Sequence, residues 1–429
     1  PLETYVNAPV SYITKILQGR SLYEQKIVTR DINRDRHPEI YKGPSGNFQA
    51  AYINLFEPGY HKRNYKVDFA SYYPSIAMAC NLGPDTTRII GYDDYSEKLE
   101  CKEGKLYIPD SKINKRVIVE VDGDRKSCLY EMCKSFTEMR KPYKEMGTTE
   151  GDSKSNALKI MVNTFYGANT NPYINHGDMA VGLTITGVAR YLLVHAINLI
   201  RKKYGEKSVV YCHTDGINTN IDVDVVWLTK RLRLLLEATI PNVESKWINL
   251  DKDTYKEGIW LQIGNYALRN GDNSITKHGS TFKASTRSRF YRETLDKLID
   301  ARMDNTINNT FIDEIYDFDS LPMETFLQRR TLNRKIEDYK STTDMMINLA
   351  NQGTKVGIQP QIRTTYTYYK TRDGYRIKEI VKSKSELDVK YYWDIVSTLL
   401  DKFGLKHMIK KNPPLTLIDR KQQTLMEWI

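Results

Sequence analysis

Lys66-Val67-Asp68-Phe69-Ala70-Ser71-Tyr72-Tyr73-Pro74-Ser75-Ile76 is the stretch on which the reading of this chain turns. Val67 and Phe69 flank Asp68 at period two, so the segment reads as a half-buried strand with the acid on its other face. Pro74 breaks the strand pattern. An acid at a strand end beside a tight turn is a helix cap, a solvated edge or a functional carboxylate, and the segment alone leaves these open. A second such acid stands in Tyr211-Cys212-His213-Thr214-Asp215-Gly216. Residues 208–221 read as a β-hairpin, with SVVYCH leading into Asp215-Gly216 as the tight turn and INTNI leading out. Asp-Gly is also common turn chemistry, so Asp215 is open in the same way. If the two strands are neighbours, their carboxylates repel, and a divalent cation resolves that conflict. Two Mg²⁺ ions held there would bind nucleotide phosphates, activate a hydroxyl and stabilise a leaving oxygen.

Between the two acids, residues 127–146 and 153–166 read as two helices around a short polar turn, with Pro142 kinking or loosening the first. Lys159, Asn163 and Tyr166 fall at i, i+4 and i+7 and share one helix face, while Leu158, Met161, Val162 and Phe165 occupy another. A lysine, an amide and an aromatic ring on one stripe suit a triphosphate and a base pair; an ordinary helix with a polar face is the competing reading. Residues 185–203 form the clearest amphipathic helix, closed by Arg201, Lys202 and Lys203. From about 285 onward the segments look helical, and basic residues predominate between Arg329 and Lys411. That surface is either solvated or nucleic-acid-facing.

Length and composition bound the answer. At 429 residues the chain fits two or three domains. Its net charge of +11 favours polyanionic partners, nucleic acid before membrane. No run approaches the roughly 18 apolar residues of a membrane span, and the start, PLETYVNAPVSY, has no signal-peptide pattern. Five cysteines with no CxxC pair speak against a disulfide framework or structural zinc and for a reducing, intracellular compartment. HExxH, GxxxxGK[ST] and GxGxxG are all missing, which removes the cheapest support for zincin, P-loop and dinucleotide-fold readings.

Taken together, the three sites resemble the family B DNA polymerases. Asp68-Phe-Ala-Ser71-Tyr72-Tyr73-Pro74-Ser75 resembles motif A (D-x-x-S-L-Y-P-S). Lys159 to Gly167 resembles motif B (K-x-x-x-N-S-x-Y-G), with Thr164 for serine. His213-Thr214-Asp215-Gly216 resembles motif C (D-T-D-S/G). The three occur in the family's order, ~90 and then ~55 residues apart, with archaeal-type spacing. Tyr41-Lys42-Gly43 resembles the link before the polymerase domain, and Arg329-Arg330, Asp338-Tyr339-Lys340 and Tyr391-Tyr392 resemble thumb landmarks.

The resemblance implies an α+β right-hand polymerase with an antiparallel-sheet palm, two-helix fingers and a mainly helical thumb. The expected boundaries are an N-terminal segment and linker at 1–60, palm at 61–126 and 169–284, fingers at 127–168, thumb at 285–421 and a clamp-binding tail at 422–429. Asp68 and Asp215 would be catalytic and would bind two Mg²⁺ ions, with the Phe69 carbonyl as a further ligand and Mn²⁺ as an alternative ion. Arg140, Lys144, Lys159 and Asn163 would hold the dNTP, helped by backbone around Ala70, Ser71 and Tyr72. Tyr73 would stack under the sugar and exclude a 2′-hydroxyl. Tyr166 and Gly167 would border the nascent base pair and template, and Thr214, Tyr266 and Lys277 would meet the primer. The partners would be a DNA primer-template, dNTP and a sliding clamp engaged by Gln422, Leu425, Trp428 and Ile429; no exonuclease domain is expected within this sequence, which leaves open a separate exonuclease subunit, a gene without one, or an exonuclease outside this sequence. No membrane is expected; the setting would be cytoplasmic, in prokaryotic or viral replication.

Two departures from the family pattern stand out. His213 replaces the first acid of motif C, which predicts reduced or Mn²⁺-leaning activity. The lysine of the family's K-x-Y element is missing before Tyr266, with Lys277 as a partial substitute. Asp251 or Asp253 resembles an outer acid near the metals. These departures support the alternative: a catalytically weak or inactive paralogue that binds primer-template or clamp.

Overall fold

The computed structural model describes residues 10–24, 26, 39–40, 47–170, 177–283, 288–339, 344–414 and 417. The tail residues Gln422, Leu425, Trp428 and Ile429, and the link Tyr41-Lys42-Gly43, lie outside the described residues. The chain divides into two compact units: one from the residues up to Glu57 and Asn64–Thr254, the other from Pro58–Arg63 and the residues from Tyr255 onward.

In chain order, helix α1 (Val10–Glu24) precedes strands β1 (Ile53–Leu55), β2 (Gly59–His61) and β3 (Asn64–Phe69), helix α2 (Tyr72–Ala79), and strands β4 (Thr87–Asp94), β5 (Glu100–Lys102), β6 (Lys105–Asp110) and β7 (Lys115–Val121). Helices α3 (Cys128–Glu145), α4 (Thr149–Asn169) and α5 (Met179–Tyr204) follow, then β8 (Val209–His213), β9 (Gly216–Thr219), α6 (Val225–Thr239) and β10 (Leu250–Tyr255). The first unit is built on a five-stranded sheet, β1-β8-β9-β3-β10, with β4-β7-β6-β5 as a second antiparallel sheet. Its core runs from Val67, Phe69 and Ile76 through Val117 and Val119 to the apolar stripe of α5.

Local chemistry sets the helix ends. Ser127 caps α3 by accepting the Tyr130 N–H, and Thr148 caps α4 by accepting that of Gly151. The pair forms the expected antiparallel hairpin, with Phe136 and Phe165 packed at 5.7 Å between ring centres. Helix α3 runs on through Pro142, which lies in its last turn. Asp178 caps α5, and Arg201, Lys202 and Lys203 close it against the helix dipole. This helix starts six residues before the expected amphipathic stretch, because Met179–Thr184 are buried on all sides and show no periodicity. By length and hydropathy α5 could cross a bilayer, contrary to the expectation from the sequence; 83% of its apolar window is buried inside the protein, and that burial is why the segment is so apolar.

The second unit contains β11 (Glu257–Gln262), β12 (Asn265–Arg269) and β13 (Ile275–His278), which form an antiparallel sheet with β2 in the order β13-β12-β11-β2. Beyond them come the short α7 (Ser280–Lys283), α8 (Arg289–Met303), α9 (Asn309–Tyr316), β14 (Gln328–Thr331), α10 (Met345–Lys355), β15 (Thr365–Thr371), β16 (Gly374–Ile377) and α11 (Val389–Lys402). The expectation of helix throughout this region is corrected by the sheet β14-β15-β16. In β15, Thr-Tyr-Thr-Tyr-Tyr-Lys-Thr, Tyr366 and Tyr368 alternate inward against α10; β-branched and aromatic residues at period two make a strand whatever the basic content around them. Tyr392, read as a thumb landmark, is a core residue whose hydroxyl donates to the Phe326 carbonyl.

Candidate active site

In β3 the alternation holds: Val67 and Phe69 are buried, while Lys66 and Asp68 share the opposite face. Asp68 pairs across the ladder with Gly216, at the start of β9. The Phe69 N–H donates to the Asp215 carbonyl at 2.9 Å. Residues 147 positions apart in sequence are thereby fixed side by side, as the motif reading required. The hairpin turn is shifted by one residue from the expectation. His213 pairs with Gly216, so the two-residue loop is Thr214-Asp215, with Thr214 at φ 58°. Gly216 belongs to the ladder, opposite Asp68, at a place where a Cβ would lie 2.5 Å from Asp68 Oδ1.

After Phe69 the chain turns through Ser71 in the left-handed region (φ 45°) and enters α2. The Ala70 N–H donates to the Asn249 carbonyl at 2.9 Å, so it is not free to bind phosphate, which corrects that expectation. At the start of α2, the N–H groups of Tyr72 and Tyr73 have no partner within the helix. Tyr72 stacks on Phe69 at 4.0 Å, and its hydroxyl donates to the Ala189 carbonyl. Tyr73 lies with its ring 4.4 Å from that of Tyr166 on α4. Burial first and the Asp215 charge second push the Tyr73 phenol up to about 12 against the opposing Arg190 charge, so it is a neutral hydrogen-bonding group at any working pH.

These side chains line one open cleft of about 610 Å³, with Lys66, Asp68, Tyr73, Thr214, Asp215, Asp251 and Asp253 on the sheet side and Arg140, Lys144, Lys159, Asn163 and Tyr166 on α3 and α4. The acids all come from the sheet; the bases, Lys66 apart, come from the helices. Arg140 Nε donates to Ser155 Oγ, which ties α3 to α4 beside the cleft. Lys144, Lys159 and Asn163 are exposed. Gly167 is exposed too, with open space where a side chain would stand.

Asp68 is the electrostatic centre. Burial raises its pKa, Lys66 opposes that, and the charges of Asp215 and Asp253 raise it further. Lys66 Nζ holds Oδ2 at 2.5 Å, and Oδ1 is buried with no hydrogen-bond partner among the described residues. An orphaned carboxylate oxygen beside further acids fits a hard divalent cation. Among the described residues no three His, Cys, Asp or Glu side chains form a ready-made metal cage.

The outer acid expected at Asp251 or Asp253 is present as both, each lining the cleft, whereas Lys66 in the lining and Arg190 acting on Tyr73 were not foreseen. Period two would have found Lys66, two residues before Asp68 on one strand face, and would have paired Asp251 with Asp253 in the same way. Nothing local marks Arg190, which donates to the carbonyls of Ala50 at 3.0 Å and Pro109 at 2.8 Å and whose charge acts on Tyr73 and Tyr166. His213 is exposed, with Nδ1 3.2 Å from Thr214 Oγ1. Of the three expected primer residues, Thr214 lines the cleft, while the other two lie in the second unit: Tyr266 is stacked between Trp260 (4.1 Å) and His278 (4.5 Å), and Lys277 is paired with Asp296 at 2.6 Å.

Comparison with known proteins bears on the family and the fold. The family model described as DNA polymerase family B matches residues 12–402. The DNA polymerase of Thermococcus gorgonarius is 22% identical over 92% of this chain and 51% of its own length. That of Desulfurococcus sp. (strain Tok) is 23% identical over 84% and 48%. DNA polymerase beta of African swine fever virus (isolate Tick/Malawi/Lil 20-1/1983) is 29% identical over 35% of this chain. The solved structure of the family B DNA polymerase from Pyrobaculum calidifontis superposes with a TM-score of 0.64 at 18% identity, covering 95% of this chain and 52% of that one. The chain spans about half the length of the archaeal relatives it matches.

Proposed function

This chain belongs to DNA polymerase family B, and from that premise we propose that it extends a DNA primer on a template by adding deoxynucleotides to the 3′-hydroxyl. The observation that carries the proposal is the meeting of Asp68 and Asp215 at the β3–β9 ladder, in a cleft whose opposite wall presents Arg140, Lys144 and Lys159. In this reading the main sheet is the palm, α3 and α4 are the fingers, and the basic segments after residue 285 are the thumb.

Asp68 and Asp215 would hold Mg²⁺ or Mn²⁺, which when bound supplies charge stabilisation for in-line phosphoryl transfer. Arg140, Lys144 and Lys159 hold the triphosphate from the helix side, so its negative charge bridges the basic wall and the acidic sheet. Asn163 and Tyr166 border the incoming base. Tyr73, packed on Tyr166 at 4.4 Å, fills the space beneath the sugar and admits the deoxy form. Sequence-independent grip on duplex phosphates by the second unit would be strongly salt-dependent. A sliding clamp and a separate exonuclease are further proposed partners.

The weak-paralogue reading draws support from His213 and from Lys66 engaging Asp68. Primer extension with dNTP and either Mg²⁺ or Mn²⁺ separates the two. Synthesis abolished by Asp215→Ala supports the polymerase; synthesis that survives Asp215→Ala defeats the assignment of the carboxylates. No synthesis with any ion leaves the binding factor.

A further inference from the structure

Three of the four cations lining the cleft, Arg140, Lys144 and Lys159, stand on helices across from the acids. Lys66 does not. It shares a strand face with Asp68, and its ammonium lies 2.5 Å from Oδ2, with the two side chains only 31% and 24% exposed. The space for this pair is reserved: a Cβ at Gly216 would lie 2.5 Å from Asp68 Oδ1 and 3.1 Å from Lys66 Cε. The pair is also lopsided. One carboxylate oxygen is held by a cation, while the other is buried without a hydrogen-bond partner among the described residues and faces the fields of Asp215 and Asp253.

We propose that Lys66 is a tethered counter-cation that competes with the divalent ion for Asp68, so that ion loading requires the ammonium to give up Oδ2. The proposal rests on reading Asp68 and Asp215 as metal ligands. The physics is a competition between charges. A buried carboxylate near two others is costly without compensation, and a cation delivered by its own strand is always present at high local concentration. With Lys66 engaged, the cluster is one unit less negative toward an incoming ion, and one of Asp68's two oxygens is taken. Lys66 is thus a positioning residue: it keeps the acids assembled before substrate arrives and raises the ion concentration needed to fill the site.

The test is Mn²⁺ binding to the full chain, without DNA or nucleotide, followed by electron paramagnetic resonance of the free ion. Lys66→Met should bind Mn²⁺ more tightly by on the order of tenfold, since it removes one opposing charge at contact distance. Lys66→Arg, which keeps the charge, should bind within a few-fold of the parent, and Asp68→Asn should lose the tight site. Lys66→Gln serves as the second neutral variant if Lys66→Met fails to give the parental circular dichroism spectrum. Unchanged or weaker Mn²⁺ affinity in the neutral variants, with Asp68→Asn still diminishing binding, overturns the counter-cation role and leaves the ligand assignment standing. Binding indifferent to both Asp68→Asn and Asp215→Asn overturns the ligand assignment itself.

Discussion

Gly216→Ala adds one methyl group to the floor of the cleft, and its effect can be worked out from the geometry. Gly216 does not sit at positive φ, so alanine meets no backbone strain there. The new Cβ would lie 2.5 Å from Asp68 Oδ1, 3.1 Å from Lys66 Cε and 3.7 Å from Asp68 Cγ. Ordinary contact begins at 3.4 Å, so the oxygen must retreat by about 0.9 Å. It cannot do so freely, because Oδ1 is buried and Oδ2 is held by Lys66; turning the carboxylate breaks that bond. A misplacement of ~1 Å at a reacting centre lowers the rate by roughly 10²-fold, and overpacking of this kind lowers stability by about 1–3 kcal/mol. Single-nucleotide incorporation, measured beside thermal unfolding, should therefore show kcat down about a hundredfold with a nearly unchanged KM for dNTP. The KM is spared because Arg140, Lys144 and Lys159 stand on helices that the methyl group does not reach. A variant with native stability and a rate within about threefold of the parent would refute the claim that Asp68 must occupy this position.

Two further outcomes are expected. Tyr73→Ala should lower discrimination against ribonucleotides by on the order of 10–100-fold in kcat/KM; unchanged sugar selection would remove Tyr73 from beneath the sugar. Glu244, which anchors the start of α3 through Tyr130 while pairing with Lys126 and Lys246, is pushed up by burial but held by these partners at about 2. A depressed carboxylate contributes stability above its unfolded pKa and loses it as pH falls. Urea unfolding should therefore show Glu244→Gln less stable than the parent at pH 7 by about 1–2 kcal/mol after solvent screening. That gap should close between pH ~4.5 and ~2, and a gap that stays constant across this range would deny Glu244 the role.

The sequence by itself determined the elements whose signals are short-range. The strand around Asp68 follows from Val67 and Phe69 at period two. The two helices α3 and α4 follow from periodic stretches on either side of a short polar turn, although α4 starts at Thr149 and not at 153, and Lys159, Asn163 and Tyr166 had to share a face because 3.6 residues make a turn. The motif order then carried the family. Tertiary structure decided what depends on register and on packing between distant segments. It put the turn at Thr214-Asp215 and Gly216 in the ladder, at a place where only a residue without a side chain leaves room for Asp68 and Lys66 together. It spent the Ala70 N–H on Asn249, brought Arg190 onto carbonyls from two other segments, and inserted a three-stranded sheet among segments that look helical in the sequence. Local periodicity states which face a side chain occupies, but what meets that face is fixed by the ladder register and by the burial that makes one arrangement of charges cheaper than the others.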